Sequence, residues 1–231
     1  HYGNSMGIPT VGGEIYFEPP YEQNPLVNAM CVGIARTEDM VRAAASGAGN
    51  KVVLFGSLPG RDGIGGASVL ASAELDEGDD AKRPTVQIGD PFEESKLLEC
   101  CQELLADDLL VSLQDLGAAG LTSSAGEMAS AGSTGIEIDV GLVPLREADM
   151  EPFEIMVSES QERMLAVVEP EKVEAVLALC TKWQTRSAVI GEVTDSGTFR
   201  ILRYGETVGE IRVDDLVDGC PLYDLDPGEP A

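Results

Sequence analysis

The sequence is short of several things, and each shortage closes off a class of function. There is one histidine in 231 residues, and it is His1. A Ser-His-Asp or Cys-His arrangement would have to use that first residue, so protease-type or glutaminase-type nucleophilic catalysis is not expected here. Cations are scarce: 15 Lys+Arg against 41 Asp+Glu give a formal net charge of −26. Such a field repels phosphate backbones and acidic lipid surfaces, which argues against nucleic-acid or membrane binding. A small anionic ligand stays possible, because backbone dipoles or Mg²⁺ can locally outweigh the global charge. No apolar run approaches the length of about 18 residues that a membrane span needs. The five cysteines (Cys31, Cys100, Cys101, Cys180, Cys220) form no CxxC pair, so a zinc site is not expected. They read as buried free thiols of a reducing, cytoplasmic setting.

What is present is enough to fold. Apolar residues make up 43% of the chain and mean hydropathy is zero, so the charge does not force disorder. The acidity itself fits a salt-tolerant surface or an ordinary acidic protein equally well. The opening residues read as mid-domain sequence with no signal peptide, and the closing DLDPGEPA reads as a linker. The expectation is a piece of a longer protein.

Along the chain, Thr37 is expected to cap a short helix through Met40, Val41, Ala44 and Ala45. KVVLF (51–55) reads as a buried strand that runs into a glycine-rich stretch. A charged loop covers 73–83 and a short strand 84–88. Asp90-Pro91-Phe92-Glu93 is a helix start, with Asp at the N-cap, Pro first in the helix and Glu three residues after the cap. Phe92, Leu97, Leu98, Cys101, Leu104 and Leu105 follow helical spacing. An apolar strand over 109–113 ends in Gln114-Asp115 and leads into a helix rich in small residues. GIEIDV (135–140) alternates as a strand. Pro152 opens a helix, 163–168 is a strand, Pro170 opens another helix, and 188–193 is a strand. The stretch from Arg163 to Val193 is then a βαβ unit, half of a ferredoxin-like arrangement. FRILRY and TVGEIRV read as a hairpin turning at Gly205-Glu206. The sum is an α+β fold, a layered α/β domain with a mixed sheet.

Three places combine a strand end with polar or glycine-rich sequence, where backbone N–H groups face outward. In Gly60-Arg61-Asp62-Gly63-Ile64-Gly65-Gly66 the glycines let a phosphate approach and Arg61 can neutralise it; tight turns look the same. In Gln114-Asp115-Leu116-Gly117-Ala118-Ala119-Gly120 the acid is either a rigidly held Mg²⁺ ligand or a helix cap. In Ser158-Glu159-Ser160-Gln161-Glu162-Arg163-Met164 a polar stretch between apolar elements must be solvated, as in a connecting loop, or meet a ligand.

Taken together, GNSMGIPTVGGE, NPLVNAMCVG, GRDGIGGAS, RPTVQIGDPF, QDLGAAGLTSSAGEMA and SESQERM resemble the phosphoribosylformylglycinamidine synthase family, in the first half of its synthetase (large) subunit. The resemblance runs through nearly the whole chain. It implies an ATP-dependent C–N ligase of purine biosynthesis that converts formylglycinamide ribonucleotide, using ATP, Mg²⁺ and glutamine-derived ammonia, to formylglycinamidine ribonucleotide. It implies a glutaminase subunit and a small accessory subunit as partners, and a fold like the C-terminal domain of aminoimidazole ribonucleotide synthetase. The matching positions are Gln87, Glu159, Ser160 and Gln161 for substrate and Asp115 for the metal; Gly12 to Glu14 and Arg61 to Gly66 receive no role. The implied division is 1–30 as the tail of a preceding domain, 31–222 as the C-terminal-type domain and 223–231 as linker. By the same resemblance the isolated piece is inactive, because the family's catalytic histidine, its ATP-contacting lysine and its second half lie elsewhere. Two alternatives stand beside it: another ATP-dependent member of the superfamily (aminoimidazole ribonucleotide synthetase, selenophosphate synthetase or thiamine-monophosphate kinase), and a non-catalytic scaffold domain.

Overall fold

The computed structural model describes residues 1–22, 25–64 and 89–219. The expected charged loop at 73–83, the strand at 84–88, Gln87, Gly65, Gly66, Cys220 and the linker at 223–231 lie outside the described residues. In chain order the elements are α1 (Tyr2–Ser5), β1 (Lys51–Gly56), α2 (Pro91–Ala106), β2 (Ser112–Asp115), α3 (Gly120–Gly132), β3 (Gly135–Asp139) and α4 (Pro152–Val157). Then follow β4 (Arg163–Val168), α5 (Val173–Lys182), β5 (Arg186–Thr194), β6 (Thr198–Arg203), β7 (Glu206–Arg212) and α6 (Val213–Val217).

The strands form one mixed sheet in the order β2-β4-β1-β5-β3-β6-β7. β1 lies antiparallel between β4 and β5, and β2 is antiparallel to β4. Each of β1-α2-β2 and β4-α5-β5 is therefore a βαβ crossover straddling one antiparallel strand, the ferredoxin-like arrangement expected for 163–193. β3 pairs antiparallel with β5 and parallel with β6, and β6–β7 is the hairpin.

Both faces of the sheet are covered, which is why KVVLF and the MLAVV of β4 read as unbroken apolar runs rather than as alternation. Val53, Phe55, Ala166 and Val168 point to one face, against Leu97, Cys100 and Leu104 of α2 and Val176, Leu179 and Cys180 of α5. Val52, Leu54, Leu165, Val167 and Ile190 point to the other, against α3, α4 and α6. Asp90 caps α2 as expected, its Oδ1 accepting from the N–H groups of Phe92 and Glu93 at 3.0 and 3.2 Å.

Several local expectations give way. There is no helix from Thr37 to Ala45; a single 3-10 turn, Thr37–Asp39, stands there, fully exposed. A helix that short is marginal without a face to bury, and it has none. Ala45 is instead the first core residue, its N–H donating to the Met128 carbonyl at 2.8 Å. Phe92 does not join the helix core: it is 68% exposed, with the Lys96 ammonium 5.0 Å from its ring centroid. A 3-10 turn at Pro170–Lys172 precedes α5. The hairpin turns at Tyr204-Gly205, not Gly205-Glu206, with φ of 52° and 83°. Two positive φ values in a row make the twist that suits a two-residue connection. Of the thiols, Cys100 and Cys180 are buried as expected, but Cys31 is exposed.

Candidate functional site

The register brings the three singled-out stretches to one end of the sheet. Gly56, closing β1, pairs with Arg163, and Asp115, closing β2, pairs with Met164. The loops leaving β1 and β2 and the loop entering β4 therefore emerge side by side. They are joined closely. The Ser158 hydroxyl donates to the Gly60 carbonyl at 2.6 Å, and the Gly60 N–H donates to the Ser160 hydroxyl at 3.0 Å. The Ser160 hydroxyl donates in turn to the Asp62 carboxylate. The Glu159 N–H donates to the Asp62 carbonyl at 2.9 Å, and the Ala119 N–H donates to the Glu159 carboxylate at 3.1 Å.

This polar stretch is neither a solvated connecting loop nor an open one. Ser158, Glu159 and Ser160 are 0%, 3% and 4% exposed, and Gln161 is half-buried with its side-chain amide donating to the Glu159 carbonyl at 2.8 Å. The approach is close enough to fix residue types. A Cβ at Gly120, whose φ is +53°, would lie 2.0 Å from the Ser158 carbonyl oxygen, and one at Gly56 would lie 2.2 Å from that of Glu162. Glycine is the residue that allows both contacts.

Arg163 supplies the rest of the frame. Its guanidinium is buried, donating through Nε to the Ser160 carbonyl at 2.7 Å and through Nη2 to the Ser158 carbonyl at 2.6 Å. Nη1 is buried with no hydrogen-bond partner. Burial lowers its pKa to about 10, against the charge of Asp62, so it stays a cation at neutral pH. Two charge-assisted bonds to the carbonyls on either side of Glu159 fix the path of the backbone there.

Asp115 is exposed at the end of β2 and does not cap the following helix. Four residues separate it from the first helical residue, and Ala119, in the left-handed conformation, occupies the cap position with no side-chain bond. The capping alternative is thereby removed. Burial, and then the negative charges of Glu162 and Asp115, push the Glu94 carboxyl up, so an acidic patch surrounds this end of the sheet. Among the described residues no three His, Cys, Asp or Glu side chains are grouped tightly enough to hold a metal ion.

Arg61 does not face a phosphate approach. Its guanidinium pairs with Glu154 at 2.7 Å and Glu147 at 3.2 Å and donates to the Asp149 carbonyl at 2.8 Å. The glycine-rich loop is thus fastened to the 146–154 segment, helped by the Arg146–Asp62 pair at 2.7 Å. A cavity of about 380 Å³ lies beside that network, lined by Glu147, Asp149, Arg203 and Tyr204 among others, away from Glu159 to Gln161. The structure adds Tyr2, Asp62, Glu162 and Arg163 to the neighbourhood. Glu162 and Arg163 are within the polar stretch noted in the sequence and Asp62 is within the glycine-rich one, whereas nothing local marks Tyr2.

Comparison with known proteins identifies the family to which the fold belongs. Residues 47–203 match the family described as AIR synthase related protein, C-terminal domain. The chain is 54% identical over 222 residues to the phosphoribosylformylglycinamidine synthase subunit PurL of Thermomicrobium roseum, covering 96% of this chain and 30% of that protein. Among solved structures, Thermotoga maritima PurL complexed with FGAR matches with a TM-score of 0.91 and 41% identity, over 100% of this chain and 38% of the other. The same protein complexed with ATP matches with a TM-score of 0.83 and 36% identity, over 99% of this chain and 36% of the other. The chain spans about 30% of the length of the curated relative it matches. With its α+β mixed sheet and its match over most of the described core, the chain belongs to the AIR synthase related family, as a C-terminal domain of that family.

Proposed function

We propose that this chain is part of a phosphoribosylformylglycinamidine synthase, the ATP-dependent ligase that converts formylglycinamide ribonucleotide and glutamine-derived ammonia to formylglycinamidine ribonucleotide. The reading is supported above all by the likeness, along the whole chain, to a PurL structure complexed with FGAR. It is supported independently by the meeting of the Asp115 loop and the Glu159–Gln161 segment at one end of the sheet. Within it the substrate residues are Glu159, Ser160 and Gln161, with Gln87 outside the described residues. Glu159 accepts hydrogen bonds, and the Gln161 amide both donates and accepts, which suits a ribonucleotide with hydroxyl and amide groups. The Ser160 hydroxyl is engaged by Gly60 and Asp62, so its part is to set the shape of the segment. ATP is the co-substrate, a glutaminase subunit and a small accessory subunit are the partners, and the cytoplasm is the compartment.

Asp115 is the proposed Mg²⁺ ligand. An exposed carboxylate at a rigid strand end is the hard, anionic donor that this ion prefers. Among the described residues it belongs to no group of three or more such donors. Mg²⁺ bound there would supply charge neutralisation to phosphate oxygens. The chain's own contribution is to hold Asp115 and residues 159–161 in fixed relation through the Ala119–Glu159 bond and the pairing of β2 with β4.

The test is Asp115→Asn in the full-length parent subunit. Turnover is expected to fall on the order of a hundredfold with unchanged thermal stability. Unchanged kinetics would favour a non-catalytic scaffold domain. The purified 231-residue chain is expected to show no ATP- and ammonia-dependent turnover.

A further inference from the structure

We propose that Glu162 is a positioning residue, clasped by the Tyr2 hydroxyl and the Asp90 N–H, that holds the adjoining Glu159–Gln161 segment in the orientation the substrate requires. This rests on the assignment of that segment to substrate made above.

Four observations converge on Glu162. Its φ is +56°, a left-handed conformation that a residue with a side chain disfavours. Its side chain is nevertheless 9% exposed, and one oxygen, Oε1, accepts from the Tyr2 hydroxyl at 2.5 Å and from the Asp90 N–H at 2.9 Å. Its carbonyl accepts from the Ser57 N–H at 2.9 Å, against a glycine that leaves no room for a Cβ. The surroundings are of its own sign: burial, and then the charges of Glu162 and Asp115, push the Glu94 carboxyl up. Burial, and then the bond and charge of Glu162, push the Tyr2 phenol up as well, keeping it a donor.

A turn that merely had to reverse direction would be served better by glycine, which adopts this φ without steric cost. Glutamate here accepts strain and like-charge crowding. What it gains is attachment to two elements remote in sequence, the α1 turn through Tyr2 and the N-terminus of α2 through Asp90. Arg163 grips the same segment from the opposite side, through the Ser158 and Ser160 carbonyls. Residues 159–161 are thus held from both flanks, and the Glu162 flank also fixes them to α1 and α2.

The experiment compares Glu162→Gly, Glu162→Gln, Tyr2→Phe and Gln161→Ala in the full-length parent subunit, measuring KM for formylglycinamide ribonucleotide, KM for ATP, kcat and Tm. Glu162→Gly keeps the backbone conformation and removes the clasp; it is expected to raise KM for the ribonucleotide about tenfold and leave KM for ATP alone. Glu162→Gln retains an oxygen that can accept both bonds and is expected to stay within about threefold of the parent. Tyr2→Phe removes one bond and is expected to fall between them, and it keeps the test open should the glycine variant fail to fold. A Glu162→Gly variant that loses Tm with the ribonucleotide KM unchanged, or that raises both KM values alike, overturns the proposal. If Gln161→Ala raises the ribonucleotide KM and neither Glu162→Gly nor Tyr2→Phe does, the clasp alone fails. If none of the three moves it, the substrate assignment fails and the clasp falls with it.

Discussion

The two faces of the central sheet are built from the same strands but used differently. On one face α2 and α5 lie over Val53, Phe55, Ala166 and Val168, and the buried contacts are apolar side chains and the thiols of Cys100 and Cys180. On the other, the same alternation continues through Leu165 and Val167 until β4 begins, and there it delivers Arg163. A side chain that would be apolar on the first face is a buried guanidinium on the second, holding the loop where the candidate substrate residues sit. The difference shows how one sheet serves two ends: the α2/α5 face supplies stability, and the end of the opposite face exchanges some of it for a fixed polar geometry.

Substitutions should separate the faces. The largest loss of stability is expected from Leu104→Ala, whose side chain is fully buried between α2 and the sheet: about 2–5 kcal/mol in urea unfolding, with KM for the ribonucleotide unchanged in the parent subunit. Arg163→Met should cost about 2–3 kcal/mol, because the Ser158 and Ser160 carbonyls lose their donors, and should raise that KM as well. A stability loss without a KM change would erase the distinction between the faces. Gly120→Ala forces a Cβ against the Ser158 carbonyl and should cost about 1–3 kcal/mol while weakening ribonucleotide binding. Arg61→Gln should be the mildest. The Arg61 side chain holds the Glu154 carboxyl below its ordinary range, and the Arg61 N–H does the same for Glu147. A lowered carboxylate pKa contributes stability above its ordinary value and loses it as pH falls through the lowered one. The Tm gap between Arg61→Gln and the parent, about 2 °C or less, should therefore be present at neutral pH and close as pH falls through the lowered range of the Glu154 carboxyl.

The parts of this molecule that could be read from sequence are those whose signals are local. KVVLF announced a buried strand, Asp90-Pro91 announced a capped helix, and Arg163 to Val193 announced a βαβ unit, because burial on both faces, a cap and a crossover each leave a contiguous pattern. The missing helix after Thr37 failed on tertiary grounds, since no partner face meets it. The hairpin turn was displaced because Tyr204 takes a positive φ that its residue type does not advertise. The three loops of the site were each visible, but their meeting depends on β1 inserting beside β4, which is a property of strand order. Arg61 looked available for an anion because Glu147 and Glu154 are more than 80 positions away. For the same reason the contact between Tyr2 and Glu162 leaves no trace in the sequence.

Whether residues 159–161 bind the substrate is tested most directly by a calorimetric titration of formylglycinamide ribonucleotide into the full-length parent subunit and its Gln161→Ala variant. The variant is expected to bind about tenfold or more weakly while unfolding at the parent's temperature. Equal affinity in the two proteins would contradict it, and would leave the polar segment at the head of β4 as framework alone.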